Sequence, residues 1–336
     1  MNSKNISKKI LHWYDNNKRF LPWRKKVSKK QREYFTLVSE FMLQQTQVKT
    51  VIPYFINFIN KIPDLDNLAK IKDSILMKCW EGLGYYSRAR NLKKTAIRIT
   101  NEYRGRLPST IEELKSLPGV GDYTSRAIMA IVFNKKMIPL DGNIERILKR
   151  VFYLRKENEI SKQHLSNKKS FFGTTNRSND YVQAIMEIGA LICKPNNPLC
   201  FQCPISINCI SFKKNDFEVK IKNKLNKTRY FEAIIYQNKN KYLLVKNDKF
   251  NFLKNMPIFP MTEVKEKKYK NSNNKKINIK LSNMDMKIIL NKINKLPKIK
   301  NKILLKKNHT QSTILPSFTK KIFSLVSKEH FFEIFN

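Results

Sequence analysis

Glycine is scarce in this 336-residue sequence, at only 8 positions, and acidic residues number 26 against 67 Lys+Arg. No run of 18 apolar residues occurs, which excludes a transmembrane helix. The start of the chain, Met1 to Trp13, lacks the apolar centre and cleavage site of a secretory signal. Ile10 to Asn16 already reads as an amphipathic helix, which argues against a transit peptide. The expected compartment is a bacterial-type cytoplasm, near the nucleoid. Cysteine is sparse too, at five positions. Four of them fall between Cys193 and Cys209 and the fifth, Cys79, stands alone; in a reducing compartment that clustering points to metal rather than disulfides.

What the chain has in excess is positive charge, net +41 with a pI near 10.1. Such a surface is drawn to polyanions, and nucleic acid is the first candidate. Lys, Asn and Ile also crowd out Arg, Ala and Gly as AT-rich coding would, so charge alone supports DNA binding only weakly. A hydrophobic fraction of 41% suffices for sizeable cores and excludes global disorder. The length suggests two domains.

From residue 6 to about 210 the periodicity is helical. Apolar residues recur at 3.6-type spacing in Tyr34–Leu43, Ile75–Trp80, Asn91–Tyr103, Tyr123–Phe133, Ile144–Leu154 and Asp180–Ile192. Prolines 22, 53, 63, 108, 118 and 139 are expected at helix starts or turns. No strand alternation appears, so residues 1–212 read as an all-α domain. A basic stretch, 213–228, reads as a linker. From 229 to 336 the character is α+β: Phe231–Tyr236 and Lys241–Lys246 are expected to be strands joined by a turn at Asn238–Lys239–Asn240. The Lys/Asn-rich tract from Lys265 to Lys307 is low in complexity, with Ile279 and Ile288–Leu290 as element fragments and a poorly specified core.

Two local patterns carry chemistry. Cys193, Cys200, Cys203 and Cys209 have the spacing C-x6-C-x2-C-x5-C. Four thiolates in a short loop hold either Zn²⁺ or a [4Fe–4S] cluster. Zinc ribbons usually pair two C-x2-C knuckles, and here there is one, which favours the cluster without removing zinc. The second pattern is Leu117-Pro118-Gly119-Val120-Gly121 between two helices. Such a turn lets backbone N–H groups approach a phosphate closely, a contact that positions a duplex without reading its sequence.

The LPGVG turn, an aspartate about twenty residues on, and the cysteine loop together resemble the endonuclease III superfamily of base-excision glycosylases. Within it, SEFMLQQTQV (Ser39–Val48), IPYF (Ile52–Phe55), GLGYYSRARNL (Gly82–Leu92) and LDGNIERIL (Leu140–Leu148) resemble the MutY family, the match running from Trp13 to Cys209. The resemblance implies a mainly α helix-hairpin-helix fold, with a six-helix barrel and a helical subdomain carrying a [4Fe–4S] cluster. A smaller, divergent α+β MutT/Nudix-like domain follows. The implied substrate is double-stranded DNA with adenine opposite 8-oxoguanine or guanine, handled by a monomer with no membrane partner.

By the same resemblance Glu40 is the acid that protonates the adenine ring, and Asp141 is the carboxylate that stabilises the oxocarbenium-like sugar. Apolar neighbours Phe41, Met42 and Leu43 are expected to raise the Glu40 pKa and keep a proton available. Asn143 helps hold the site, and Gln183 and Trp23 match adenine-pocket positions. Gln45 and Tyr85 match residues that wedge into the duplex once the adenine has left the stack. Gly119, Val120 and Gly121 match the DNA-backbone contact.

Tyr123 stands where bifunctional members carry a lysine for Schiff-base chemistry, which implies a glycosylase that leaves the abasic site uncut. Glu145 stands where some relatives carry lysine, which further weakens lyase chemistry. The C-terminal domain resembles the MutT-like module over Arg229–Val245 and at Phe259-Pro260. In its recognition run only Ser312 of the usual Phe-Ser-His remains, flanked by Gln311 and Thr313, so a reduced preference for 8-oxoguanine is expected. Two rivals stand beside this reading: an endonuclease III-like pyrimidine glycosylase/lyase, which Tyr123 and the LQQTQ segment oppose, and a DNA-binding protein that has lost catalysis, which intact Glu40 and Asp141 oppose.

Overall fold

The computed structural model describes residues 3–155, 161–218, 227–281, 284–309 and 313–326. Its first part is helical: α1 (Ser3–Asn17), α2 (Lys29–Leu43), α3 (Val48–Lys61), α4 (Leu65–Lys70), α5 (Asp73–Trp80), α6 (Ser87–Glu102), α7 (Ile111–Ser116), α8 (Asp122–Ile131), α9 (Gly142–Val151), α10 (Lys162–Lys168), α11 (Ser178–Glu187) and α12 (Ile210–Lys213). Side-chain caps begin several of them. Ser28, Asp64, Thr110, Asp141 and Ser161 accept from backbone N–H groups that would otherwise be orphaned at the first turns of α2, α4, α7, α9 and α10.

One prolines-at-boundaries expectation fails. Pro53 lies inside α3, where it removes a helical hydrogen bond. The helix persists because Val51, Phe55 and Phe58 bury one apolar face completely or nearly so, and burial of that size outweighs one lost bond.

The chain divides into two compact units, Met1–Ile71 with Arg88–Ile221, and Lys72–Ser87 with Lys222–Asn336. Within the first, α1, α9, α10 and α11 enclose a core that includes Ile10, Tyr14, Ile144, Leu148, Leu165, Phe172 and Ile185, and Cys193, Cys203 and Cys209 pack against it. A second layer packs α2 against α3 and α8, burying Leu37, Val38, Phe41, Phe58, Ala127 and Ile128. The stretch read as a linker begins as packed chain. Tyr153 Oη donates to Asp216 Oδ2 at 2.7 Å and Arg150 Nε donates to the Phe217 carbonyl at 3.0 Å.

The second unit contains a mixed sheet. Strand β1 (Lys227–Asn238) turns into β2 (Lys241–Lys246) through Lys239 at φ 50°, as the hairpin pattern predicts. Strands β3 (Pro257–Ile258) and β4 (Met261–Val264) follow, then helix α13 (Glu266–Asn271), β5 (Lys276–Leu281), β6 (Met284–Ile293), β7 (Lys302–Lys306) and helix α14 (Ser317–Val326). The tract expected to be poorly specified is regular. Its β6 runs parallel to β1 from Lys227↔Met284 to Tyr236↔Ile293. Met284, Met286, Ile288 and Leu290 alternate into one core with Phe231, Ala233, Ile235, Phe318 and Ile322. The surplus of Lys and Asn sits on the outward positions of a period-two pattern, which hides the alternation from composition alone.

Candidate active site

Glu40 lies in the last turn of α2, Tyr123 in the first turn of α8, and Asp141 at the N-cap of α9. All three line one cavity of about 550 Å³, together with Trp23, Asn143 and Gln183. The residues that the sequence assigned to acid, stabilising carboxylate and adenine pocket are thus brought together from four parts of the chain, with Tyr123 from a fifth.

Glu40 is 6% exposed, and its Oε2 is buried without a hydrogen-bond partner. Burial first, and the charge of Asp141 second, raise its pKa from 4.5 to about 7, while the Tyr123 hydroxyl and the Arg24 guanidinium act the other way. Asp141 is raised as well by burial, but it is far better solvated by the protein. Its Oδ1 accepts from the Ile144 N–H at 2.7 Å and its Oδ2 from Asn143 Nδ2 at 3.2 Å, and Arg146 adds a favourable charge. A carboxylate at a helix N-terminus meets the positive end of the peptide dipoles. The two acids therefore sit in different environments, Glu40 with a buried oxygen lacking a hydrogen bond and Asp141 with both oxygens accepting from protein donors. Burial raises the Tyr123 phenol well above its ordinary value, so it remains neutral.

The cavity also contains residues that sequence reasoning missed. Glu187 is 1% exposed and pairs with Arg19 (Nε–Oε2 2.8 Å) and Arg24 (Nη1–Oε1 3.0 Å). Gln183 and Glu187 are four apart on α11, so they share a face, and that spacing was a readable signal. Arg146, three residues after Asn143 on α9, donates to Asn143 Oδ1 (2.8 Å), the Gly189 carbonyl (2.7 Å) and the Cys193 carbonyl (2.7 Å). Gly189 belongs to a π-helical turn, Ile188–Ile192, that continues α11. A Cβ there would stand 2.5 Å from Asn143 Cβ, so only glycine permits this approach.

The hairpin is built by close packing. Gly119 has φ 82°, and a Cβ on it would stand 2.9 Å from both Asn91 Cβ and Phe41 Cε1. Thr95 Oγ1 donates to the Pro118 carbonyl at 2.7 Å, and Gln44 Nε2 donates to the Gly119 carbonyl at 3.3 Å. Gly121 is the N-cap of α8, and a Cβ on it would meet nothing. Val120, between the two glycines, faces the interior. Its side chain is 5% exposed and its N–H is spent on the Leu117 carbonyl at 3.1 Å, so it anchors the turn inward.

Gln45 and Tyr85, expected at the duplex wedge, lie in different units. Both are left-handed at non-glycine positions, with φ 56° and 47°, and both are exposed. Such backbone strain gathers at functional loops. Arg88, buried, donates to the Phe41, Met42 and Gln44 carbonyls and so caps α2 just before Gln45. Glu145 pairs with Lys149 at 3.8 Å along α9. Ser312 and Gln311 lie outside the described residues.

Cys193, Cys200, Cys203 and Cys209 line a common enclosed cavity with Arg150 and apolar side chains. Burial raises Cys200 to about 11 and Cys203 to about 12, with the neighbouring thiols adding to it. Arg150 Nη1 lies 3.4 Å from Cys193 Sγ and also donates to the Lys194 carbonyl. Among the described residues no three His, Cys, Asp or Glu side chains are grouped to hold a single metal ion. Four thiols around one apolar cavity beside a guanidinium fit a thiolate-ligated cluster, whose negative charge such a cation offsets. Cys79 is buried elsewhere, in α5.

A helix-hairpin-helix beside a two-carboxylate cavity defines a class of base-removing DNA repair protein, and residues 38–170 match the family described as HhH-GPD superfamily base excision DNA repair protein. The chain is 36% identical over 341 residues to an adenine DNA glycosylase of Buchnera aphidicola subsp. Baizongia pistaciae, covering 95% of this chain and 96% of the relative. It is 41% identical over 207 residues to the Homo sapiens adenine DNA glycosylase, covering 60% of this chain and 38% of that one. Among solved structures, a thermostable thymine-DNA glycosylase superposes with a TM-score of 0.55 at 27% identity, over 63% of this chain and 97% of its own. The chain belongs to the adenine DNA glycosylase family.

Proposed function

We infer that the protein is a DNA glycosylase that hydrolyses the N-glycosidic bond of adenine in double-stranded DNA, opposite 8-oxoguanine or guanine, and leaves the abasic strand uncut. The observation that carries this reading is the buried Glu40, at a pKa of about 7, facing the same cavity as the N-capping Asp141.

In this mechanism Glu40 donates its proton to a ring nitrogen of the everted adenine. The C1′–N9 bond then breaks with both electrons leaving on the base, which departs neutral. Asp141 stabilises the positive charge left on the sugar, and water adds at C1′ with loss of a proton. Glu187 beside Arg24 offers an acceptor next to a donor, the pattern that matches an exocyclic amine adjoining a ring nitrogen on adenine. Trp23 supplies a flat wall, held edge-on by Phe55 at 5.3 Å. Tyr123 has no amine with which to form a Schiff base. The one lysine that lines the cavity among the described residues, Lys49, is exposed.

A [4Fe–4S] cluster is proposed on Cys193, Cys200, Cys203 and Cys209. When bound it supplies a rigid node in the loop between α11 and α12. The open N-cap of Gly121 is proposed as the phosphate contact, and Gln45 and Tyr85 as the wedge. In the C-terminal unit the core is well formed, so a reduced preference for 8-oxoguanine rests only on the replacements at Gln311 and Thr313.

The test is single-turnover reaction of the full chain on a duplex with one 8-oxoG:A pair. Adenine release, with strand breakage only after alkali or heat, is the expected result. Nicking without alkali would favour the lyase rival, and no release from this duplex or from one with a single G:A pair would favour the catalytically silent one.

A further inference from the structure

The segment Lys72–Ser87 belongs to the second compact unit, although by sequence it falls within the helical domain. One carboxylate contributes three contacts to the packing around this segment. Glu81, directly after α5, accepts from the Leu315 N–H at 3.2 Å and pairs with Lys320 Nζ of α14 at 2.9 Å. Lys78 Nζ, one turn back on α5, pairs with its other oxygen at 2.6 Å. The Glu81 side chain is 9% exposed. Burial alone would raise its carboxyl, and these donors instead bring it below its ordinary value.

On the other side of Glu81 the chain has little slack. Gly82, Gly84 and Tyr85 are left-handed, with φ 101°, 74° and 47°. The Trp80 indole donates to the Gly84 carbonyl at 3.1 Å, and the Leu83 N–H donates to the Trp80 carbonyl at 3.1 Å. Three left-handed residues in four, with Leu83 and Gly84 both bonded to Trp80, restrict the path between Glu81 and Tyr85. Tyr85 stands at the end of that path, 40% exposed. A short stretch of restricted backbone, Gly82 to Gly84, thus separates the Glu81 contacts from Tyr85.

We propose that Glu81 is a positioning residue that fastens the Tyr85 loop to α14 of the C-terminal unit, so that engagement of the base opposite adenine and insertion of Tyr85 are coupled. The proposal rests on the adenine glycosylase reading and on Tyr85 as a wedge. Leu315, which Glu81 holds, follows Ser312, the position that the family resemblance implies for lesion recognition, by three residues in sequence.

The test uses the full chain and its Glu81→Lys, Lys320→Glu and doubly exchanged variants. Each is measured for single-turnover adenine release from 8-oxoG:A and G:A duplexes. Each is also measured for the fluorescence of a 2-aminopurine placed beside the 8-oxoguanine, which brightens when a wedge unstacks it and needs no catalysis. Glu81→Lys is expected to lower the 8-oxoG:A to G:A rate ratio by about 5-fold or more, the lower end of ordinary coupling between sites, and to suppress the fluorescence rise. The double exchange restores an opposite-charge pair between positions 81 and 320 but neither the acceptor for the Leu315 N–H nor the pair with Lys78, and is expected to recover part of both. Should Glu81→Lys unfold, as judged by its thermal melt, Glu81→Gln and Lys320→Glu carry the comparison, with smaller losses expected. Unchanged ratio and fluorescence in the single variants, or a loss that the double exchange leaves in place, would overturn the proposal. Failure of the parent to release any adenine would sink the functional reading instead, while the fluorescence would still report on Glu81.

Discussion

Glu40 and Asp141 face one cavity, and after burial it is the charge of Asp141 that raises Glu40 to about pH 7 in proton affinity. A general acid in this position works only while protonated. Single-turnover adenine release is therefore expected to fall about tenfold per pH unit well above 7, and to fall again in acid where Asp141, itself raised by burial, takes up a proton. Glu40→Gln should lower the rate by ~10²–10⁴-fold and Asp141→Asn comparably, each with DNA affinity within a few-fold of the parent. A rate that stays constant from pH 6 to 9 would exclude Glu40 as the acid.

The same shift has a stability consequence of definite sign. The folded state binds the Glu40 proton more tightly than the unfolded chain, so stability falls as pH rises from 4.5 to about 7, and the cost then stays constant. From those two values the cost is about 3 kcal/mol above pH 7. Glu40→Gln is expected to stabilise the protein by ~1–3 kcal/mol at pH 8 and by little at pH 4.5. Denaturant midpoints at the two pH values measure this. A variant less stable than the parent at pH 8 would contradict it.

Gly119 and Gly121 separate two uses of glycine in one turn. Gly119→Ala forces a Cβ against Phe41 and Asn91 at positive φ and should cost ~2–4 kcal/mol. Gly121→Ala meets open space and should fold normally while weakening duplex binding, because a methyl group would intrude where a phosphate approaches. Equal melting temperatures for the two variants would undo the distinction.

Replacing any of Cys193, Cys200, Cys203 or Cys209 with serine should lower bound iron and the broad visible absorbance of an iron–sulfur cluster, whereas Cys79→Ser should leave both unchanged. Stoichiometric zinc without iron in carefully isolated native protein would show that the four thiols hold a different metal.

Much of this site was legible because its chemistry is local. The LPGVG turn, the LDGN cap and the cysteine spacing each place functional atoms within a few residues of one another, and the structure uses them in that local form. The face shared by Gln183 and Glu187, four residues apart on α11, is a local signal of the same kind. The Lys/Asn tract hides its strands because Lys and Asn dominate its composition, while Met284, Met286, Ile288 and Leu290 recur at period two into one core, with Ile289 buried as well.

The sequence by itself determined the helical and α+β halves, the two acids and the four thiols, since each depends on residue type and short-range spacing. Only the tertiary structure decided which distant groups act on them. The fit of Gly189 against Asn143, the pairing of Glu187 with Arg19 and Arg24, and the hold of Glu81 on Leu315 and Lys320 join positions as far as 239 residues apart (320 − 81). No periodicity encodes such pairs, because they arise from packing that places two surfaces in contact after the local elements have formed. The proton affinity of Glu40 belongs with them: a carboxyl at the end of an apolar helix is ordinary until burial and a second carboxylate surround it.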